Sequence, residues 1–258
     1  ESGPNLAFIL APLLSALLAP RIGWRGVLMV VGSTALLSGV LYALLGRGSS
    51  QPGEPPHFEN IKLFARNRTF WIMAVFFMLA VSIANGVFSV LPTYLVVEHG
   101  YREPFVNTLV GISRISGFAA IFLAGGLADR YGIKAVLRVI FAVTGAVTVA
   151  LGISRGPLLL MCVFLQPIVI GSFFPVGLSA LTASTPESAR NLSVALAIPP
   201  ANVVGSGLAP PALAALGSSG HFGLGFVALG TIAIASLALV PLITPRLPPP
   251  PGPRAQVA

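Results

Sequence analysis

Residues 125–134 read Gly-Gly-Leu-Ala-Asp-Arg-Tyr-Gly-Ile-Lys and stand between two apolar runs, at about 106–127 and 135–153. Each run is close to the ~20 residues that a helix needs to cross a bilayer. Backbone polar groups find no partner in hydrocarbon, so such runs must be helical. Glycines permit a tight turn and close helix approach, while Arg130, Lys134 and Arg138 are the kind of basic residue retained on the cytoplasmic side. The stretch therefore predicts a membrane hairpin, with Asp129 ending its first helix.

Working outward, six more apolar runs bring the total to eight, at roughly 3–20, 26–45, 69–90, 106–127, 135–153, 157–179, 191–214 and 222–243. Only 9% of the 258 residues are charged, against 55% hydrophobic. Soluble domains are about one-quarter charged, so lipid must be the solvent for most of this chain. Ten-residue segments of alternating hydrophobicity, the mark of an outer-membrane barrel, are absent from the sequence. The reading is an all-α polytopic membrane protein with about eight transmembrane helices.

The formal net charge of +8 does not point to nucleic acid, because the basic residues punctuate the apolar runs and form no recognisable binding motif. The lipid bilayer is the expected partner. Cys162, the single cysteine, lies inside an apolar run and reads as a small buried hydrophobe. The run from Asn5 to Pro20 has no basic residue before it, only Glu1, which excludes a signal peptide. Residue 1 is expected to lie inside a longer protein.

Residues 47–68, rich in Gly, Ser and Pro, read as a linker, with Phe58 to Arg66 expected as a short surface helix. Residues 244–258 read as a disordered proline-rich tail. Lys and Arg divide unevenly between alternate loops. One side holds Arg47, Lys62, Arg66, Arg68, Arg130, Lys134, Arg138, Arg190, Arg246 and Arg254; the other holds Arg21, Arg25, Arg102 and Arg155. Ten against four places the first side, and the C-terminus, in the cytoplasm.

The hairpin stretch resembles the cytoplasmic loop motif of the major facilitator superfamily, G-x-L-x-D-R-x-G-[RK]-[RK]. Gly125, Leu127, Asp129, Arg130, Gly132 and Lys134 match, while Ile133 replaces the first basic position. The resemblance implies that this loop follows helix eight of twelve and acts as a conformational-switch loop. Residues 1–46 then correspond to the last two helices of the N-terminal half, 47–68 to the central cytoplasmic loop and 69–243 to the C-terminal six-helix half. Gly23-Trp24-Arg25-Gly26 resembles the turn between helices five and six. Gly3-Pro4 resembles the start of an antiporter motif, but Ala7-Phe8 stand where its glycine pair follows. The implied architecture is two halves around a central cavity, working by alternating access. An eight-helix portion closes no such cavity, and the chain alone is expected not to transport.

Arg114 is the one charge deep inside a span, eight residues from its start and fifteen before Asp129. A charge near the bilayer middle is costly and faces a cavity or a partner. Either its fork binds an anionic substrate, or it is structural and pairs with carbonyls or with a carboxylate elsewhere. Asn85-Gly86 interrupts the third span and suits substrate binding, a gating kink or helix packing. Gln166 precedes Pro167, and Asn202 follows Pro199-Pro200; both are polar groups at sites where proline frees carbonyls. Tyr94 reads as an interfacial aromatic, and Phe173-Phe174-Pro175 as either packing or a gate. Substrate-binding candidates are thus Arg114, Asn85, Gln166 and Asn202.

No catalytic or metal-binding constellation is visible, since His57, His99 and His221 all fall in expected loops. No cofactor is implied, and the chain reads as no enzyme. The expectation is a secondary carrier of a small organic anion, with or without a coupling ion. The alternatives are a drug or metabolite exporter, or a membrane sensor or scaffold that moves nothing. The turn at Gly23 and Arg114 resemble the monocarboxylate and oxalate/formate branch. Val110 stands where monocarboxylate carriers place an aspartate, and the eleventh helix has no lysine for a second cationic site.

Overall fold

The computed structural model describes residues 2–46, 64, 66–185 and 189–244, with backbone alone for 2–17, 19–20 and 118–125. The expected surface helix within 47–68 lies outside these residues apart from Phe64 and Arg66 to Arg68, as does the tail from 245 onward. Among the described residues there is helix and turn but no strand. Two compact units divide the chain at residue 56.

The first unit is helical, α1 (Ser2–Leu45), with a kink where Gly23 takes φ 68° and ψ 169°. The kink falls in the Gly-Trp-Arg-Gly stretch, and the Arg25 guanidinium lies over the Trp24 ring at 5.1 Å.

The second unit is a six-helix bundle: α2 (Arg68–Val97), α3 (Glu103–Tyr131), α4 (Ile133–Ile153), α5 (Gly156–Ala183), α6 (Arg190–Ser218) and α7 (Phe222–Leu242). All but α3 are among the six helices, counting Arg21–Leu45, that are long and apolar enough to cross a membrane. At 29 residues, α3 is as long as the others and carries Arg114 near its middle. The main pairings are α4 on α7, α3 on α5 and α2 on α6.

Helix bounds differ from expectation in instructive ways. Asp129 does not end α3. The helix runs to Tyr131, the turn is Gly132 alone, and α4 starts at Ile133. Gly132 has φ 82°, a conformation that a side chain disfavours, and its N–H still caps the Ala128 carbonyl at 2.9 Å. Asn85-Gly86 does interrupt the α-helical pattern of α2, but without ending the helix. The chain widens there into a π-helix, Ser82–Val87, and continues to Val97.

Two apolar cores stack along the bundle. The core nearer Gly132 gathers Phe76, Phe77, Phe141 and Phe173, with ring centroids 4.5 Å apart for Phe76–Phe141 and 4.9 Å for Phe77–Phe173. Phe173 is therefore a packing residue. The other core gathers Leu91, Tyr94, Leu95, Leu151 and Phe226. Tyr94 is not an interfacial aromatic. It is 1% exposed and donates its hydroxyl to the Leu151 carbonyl at 2.9 Å.

Candidate substrate site

Between the two cores lies a polar layer. On α2 the first core ends at Ala84 and the second begins at Val87; on α5 the gap falls between Val163 and Ile170. Arg114, Asn85 and Gln166 occupy this level, joined by the buried Ser113, Thr144 and Thr148. Polar groups at mid-membrane depth are costly, and here their partners are largely backbone carbonyls, although the Thr144 hydroxyl has no hydrogen-bond partner among the described residues.

The π-helix of α2 supplies those carbonyls. In an α-helix the Phe88 N–H would donate to Ala84; at the end of the π segment it donates three residues back, to Asn85, as in a 3₁₀ turn. The Ala84 carbonyl instead accepts from Nη2 of Arg114 at 3.2 Å, and the preceding Ile83 carbonyl accepts from Nε2 of Gln166 at 2.9 Å. The guanidinium carbon of Arg114 also sits 3.3 Å from the Phe88 ring centroid. A cation over an aromatic face away from water gains on the order of 2 kcal/mol, which offsets part of the cost of its depth. Gln166 is 2% exposed, so its amide is committed to the helix rather than to an open cavity.

A second π-helix, Val203–Leu208, interrupts α6 and packs on the first. Asn85 donates through Nδ2 to the Ser206 hydroxyl at 3.0 Å. A Cβ added to Gly205 would come within 2.6 Å of the Val81–Ser82 backbone, so only glycine permits this crossing. Asn202, one residue before the second π-helix, is exposed and donates to the Ile198 carbonyl of its own helix at 3.2 Å. The structure thus brings Arg114, Asn85 and Gln166 together and leaves Asn202 apart from them.

Ser206, Thr144 and Thr148 were missed by sequence reasoning. Gly205-Ser206-Gly207 inside an apolar run was a signal for Ser206, of the same kind as Asn85-Gly86. The two threonines carried none, because buried hydroxyls can bond within their own helix, as Thr148 does to the Thr144 carbonyl at 2.7 Å.

The hairpin loop is exposed at Leu127, Asp129, Arg130 and Gly132, and Gly125 lies within α3. Arg130 lies over the Tyr131 ring at 5.4 Å, and Lys134 donates to the Pro241 carbonyl at 3.5 Å, tying α4 to the end of α7. A cavity of about 460 Å³ opens beside this loop, lined by Leu127, Tyr131, Val139 and Ile168 among others. Its lining is almost wholly apolar, with Tyr131 and Ser172 the polar side chains among it. No group of His, Cys, Asp or Glu among the described residues is arranged to hold a metal ion.

The described helices thus form a membrane-type bundle with a polar layer between two apolar cores. The Major Facilitator Superfamily pattern matches residues 1–157 and again 105–258, which together span the chain, and the protein belongs to that family, one of transporters rather than enzymes. Solved structures with this fold include the E. coli fucose:proton symporter FucP. It has TM-score 0.65 and 16% identity, over 84% of this chain and 54% of that one. A bacterial homolog of the human lysosomal transporter Spinster, inward-facing and occupied, has TM-score 0.66 and 16% identity, over 88% and 60% of the two chains. Its unoccupied inward-facing form has TM-score 0.60 and 14% identity, over 91% and 63%. The chain thus spans less than two-thirds of the length of these structures. No curated protein matches it.

Proposed function

We propose that the chain forms part of a secondary carrier that moves a small organic anion across a membrane by alternating access, with Arg114 engaging the anionic group. The observation that carries this reading is the placement of the Arg114 guanidinium between the Ala84 carbonyl and the Phe88 ring, at the polar level between the two cores. Both of these partners are neutral. A carboxylate offers the same fork two charge-assisted bonds, which are shorter and roughly twice as strong. An arriving anion can therefore displace the carbonyl and lower the cost of the buried charge.

In this reading residues 1–46 are the last two helices of the N-terminal half, 47–68 the central loop, 69–243 the C-terminal half and 244–258 a cytoplasmic tail. The likeness to the monocarboxylate and oxalate/formate branch rests on the Gly23 turn and Arg114. In this reading Asn85, Ser206 and Asn202 stand on helices that border the central cavity and serve the uncharged part of the solute.

The test is flux. The protein, reconstituted in liposomes with the helices that complete its bundle, is offered labelled small carboxylates, sugars and organic cations. Saturable carboxylate uptake supports the reading. Movement of cations or neutral drugs instead indicates an exporter, and no flux of any solute indicates a sensor or scaffold.

A further inference from the structure

The cavity beside the Gly132 turn is a groove with three walls. The last turn of α3 gives Tyr131, α4 gives Ala135, Val139 and Val143, and α5 gives Ile168 and Ser172. The three α4 residues follow one another at the four-residue spacing of a single helix face. The groove therefore runs along α4 for about 12 Å. One leaflet of a bilayer's hydrocarbon is about 15 Å deep, so the groove spans most of it. Ser172 makes no demand on an occupant, because its hydroxyl already donates to the Ile168 carbonyl at 2.9 Å. Water is a poor filling, since it needs several polar partners and these walls are almost wholly apolar.

Charge gathers at one end only. The guanidinium carbon of Arg130 lies 5.4 Å from the centroid of the Tyr131 ring, which itself lines the groove. Arg138 is exposed on α4, one residue before Val139 and three after Ala135. Lys134 stands at the same end with its amine on the Pro241 carbonyl, and Asp129 is the one acidic residue there. Toward the other end the sequence carries no charge from Val139 to Ser154 on α4, nor from Gly156 to Pro186 on α5.

We propose that this groove binds an anionic phospholipid, with one acyl chain along α4 and the phosphate held by Arg130 and Arg138. Its polarity and length are those of one lipid in one leaflet, cationic at the surface and apolar for most of the depth. A chain seated there makes the dispersion contacts that the walls otherwise lack, and basic side chains at a membrane surface attract anionic headgroups. A neutral apolar compound gains nothing from the arginines, and a soluble anion gains nothing from the walls. The site is separate from Arg114 and stands whatever solute the protein moves.

The protein, purified in detergent with the helices that complete its bundle, is titrated with dioleoyl phosphatidylglycerol and dioleoyl phosphatidylcholine, and native mass spectrometry counts the bound lipid. Each basic residue near an anionic surface corresponds to about a fivefold change in affinity, so two arginines favour phosphatidylglycerol by about twenty-five-fold. Arg130→Gln combined with Arg138→Gln should abolish that preference. Val139→Trp, at a position 62% exposed, should fill the groove and lose the bound lipid while the arginines remain. An excess of glycerol phosphate, the headgroup chemistry without a chain, should leave the lipid in place. Equal binding of the two lipids by the wild type, or undiminished binding in Val139→Trp, overturns the proposal. Displacement by glycerol phosphate also overturns it, by showing an anion site that does not use the groove. Should Val139→Trp fail to fold, Ala135→Met blocks the same face in its place.

Discussion

Asn85 and Ser206, each on a π-helical turn of a different membrane helix, meet through a hydrogen bond of 3.0 Å from Nδ2 to Oγ. The contact exists because Gly205 lets α6 touch the α2 backbone at Val81 and Ser82. Each π-turn supplies what the other helix needs at the level where the two apolar cores part.

The crossing should therefore be intolerant of volume at Gly205. Gly205→Leu is expected to lower stability by about 1–3 kcal/mol, the usual cost of overpacking. Gly207→Ala, whose nearest neighbour would lie at 3.9 Å, should stay within about 0.5 kcal/mol of the wild type. Thermal unfolding in detergent measures both. Equal losses would show that the helices do not cross tightly there.

A second close approach joins α4 and α7. A Cβ at Gly145 would lie 2.7 Å from the Gly230 carbonyl, and Gly152 meets Gly223 in the same antiparallel register, seven residues along each helix. Gly152→Leu should destabilise by about 1–3 kcal/mol. Gly111→Ala, with nothing within 4 Å, should have little effect in the same melting assay. A benign Gly152→Leu would contradict the pairing.

Glu98, in the turn after α2, accepts the Phe222 N–H through Oε1 at 2.6 Å and so caps the first turn of α7 from another helix. Glu98→Ala should cost about 0.5–2 kcal/mol, in the range of helix N-caps, and Glu98→Gln less, because it keeps the acceptor. Melting temperatures that rank alanine above glutamine would refute the cap.

Beside it, burial holds the His99 pKa below its usual value, opposed by the nearby Glu98 carboxylate and reinforced by Arg155. The ring sits 4.7 Å from Tyr94 in an edge-on contact. Folding thus favours neutral His99. That stability is fully present above the ordinary histidine range and is lost as pH falls through it to the depressed folded value. His99→Phe keeps an aromatic ring and should flatten this acidic limb in a plot of melting temperature against pH. An unchanged limb would assign it to other groups.

Most of the fold was legible because lipid imposes one rule on every span. Runs of apolar residues had to be helices, and the Gly125–Lys134 stretch had to turn between two of them. The site was half legible. Arg114 announced itself as a lone charge at depth, and Asn85-Gly86 as a polar break. That the break is a π-turn was not readable, because a polar residue beside glycine looks the same in sequence whether the helix kinks or widens, and the donors to Ile83 and Ala84 come from helices distant in sequence. Tyr94 was misplaced for the related reason that an aromatic near a helix end looks the same in sequence whether it faces lipid or donates to Leu151. Asp129 looked like a helix end because charge usually marks one, yet the backbone turns only where Gly132 permits positive φ.

The central claim, that Arg114 holds an anion, is tested most directly by ligand-induced thermal stabilisation with a panel of carboxylates, sugars and cations, run on the wild type and on Arg114→Ala. Stabilisation by a carboxylate that disappears in Arg114→Ala is the predicted result. Stabilisation by neutral or cationic compounds that survives the substitution would contradict it and leave Arg114 as a structural partner of Ala84 and Phe88.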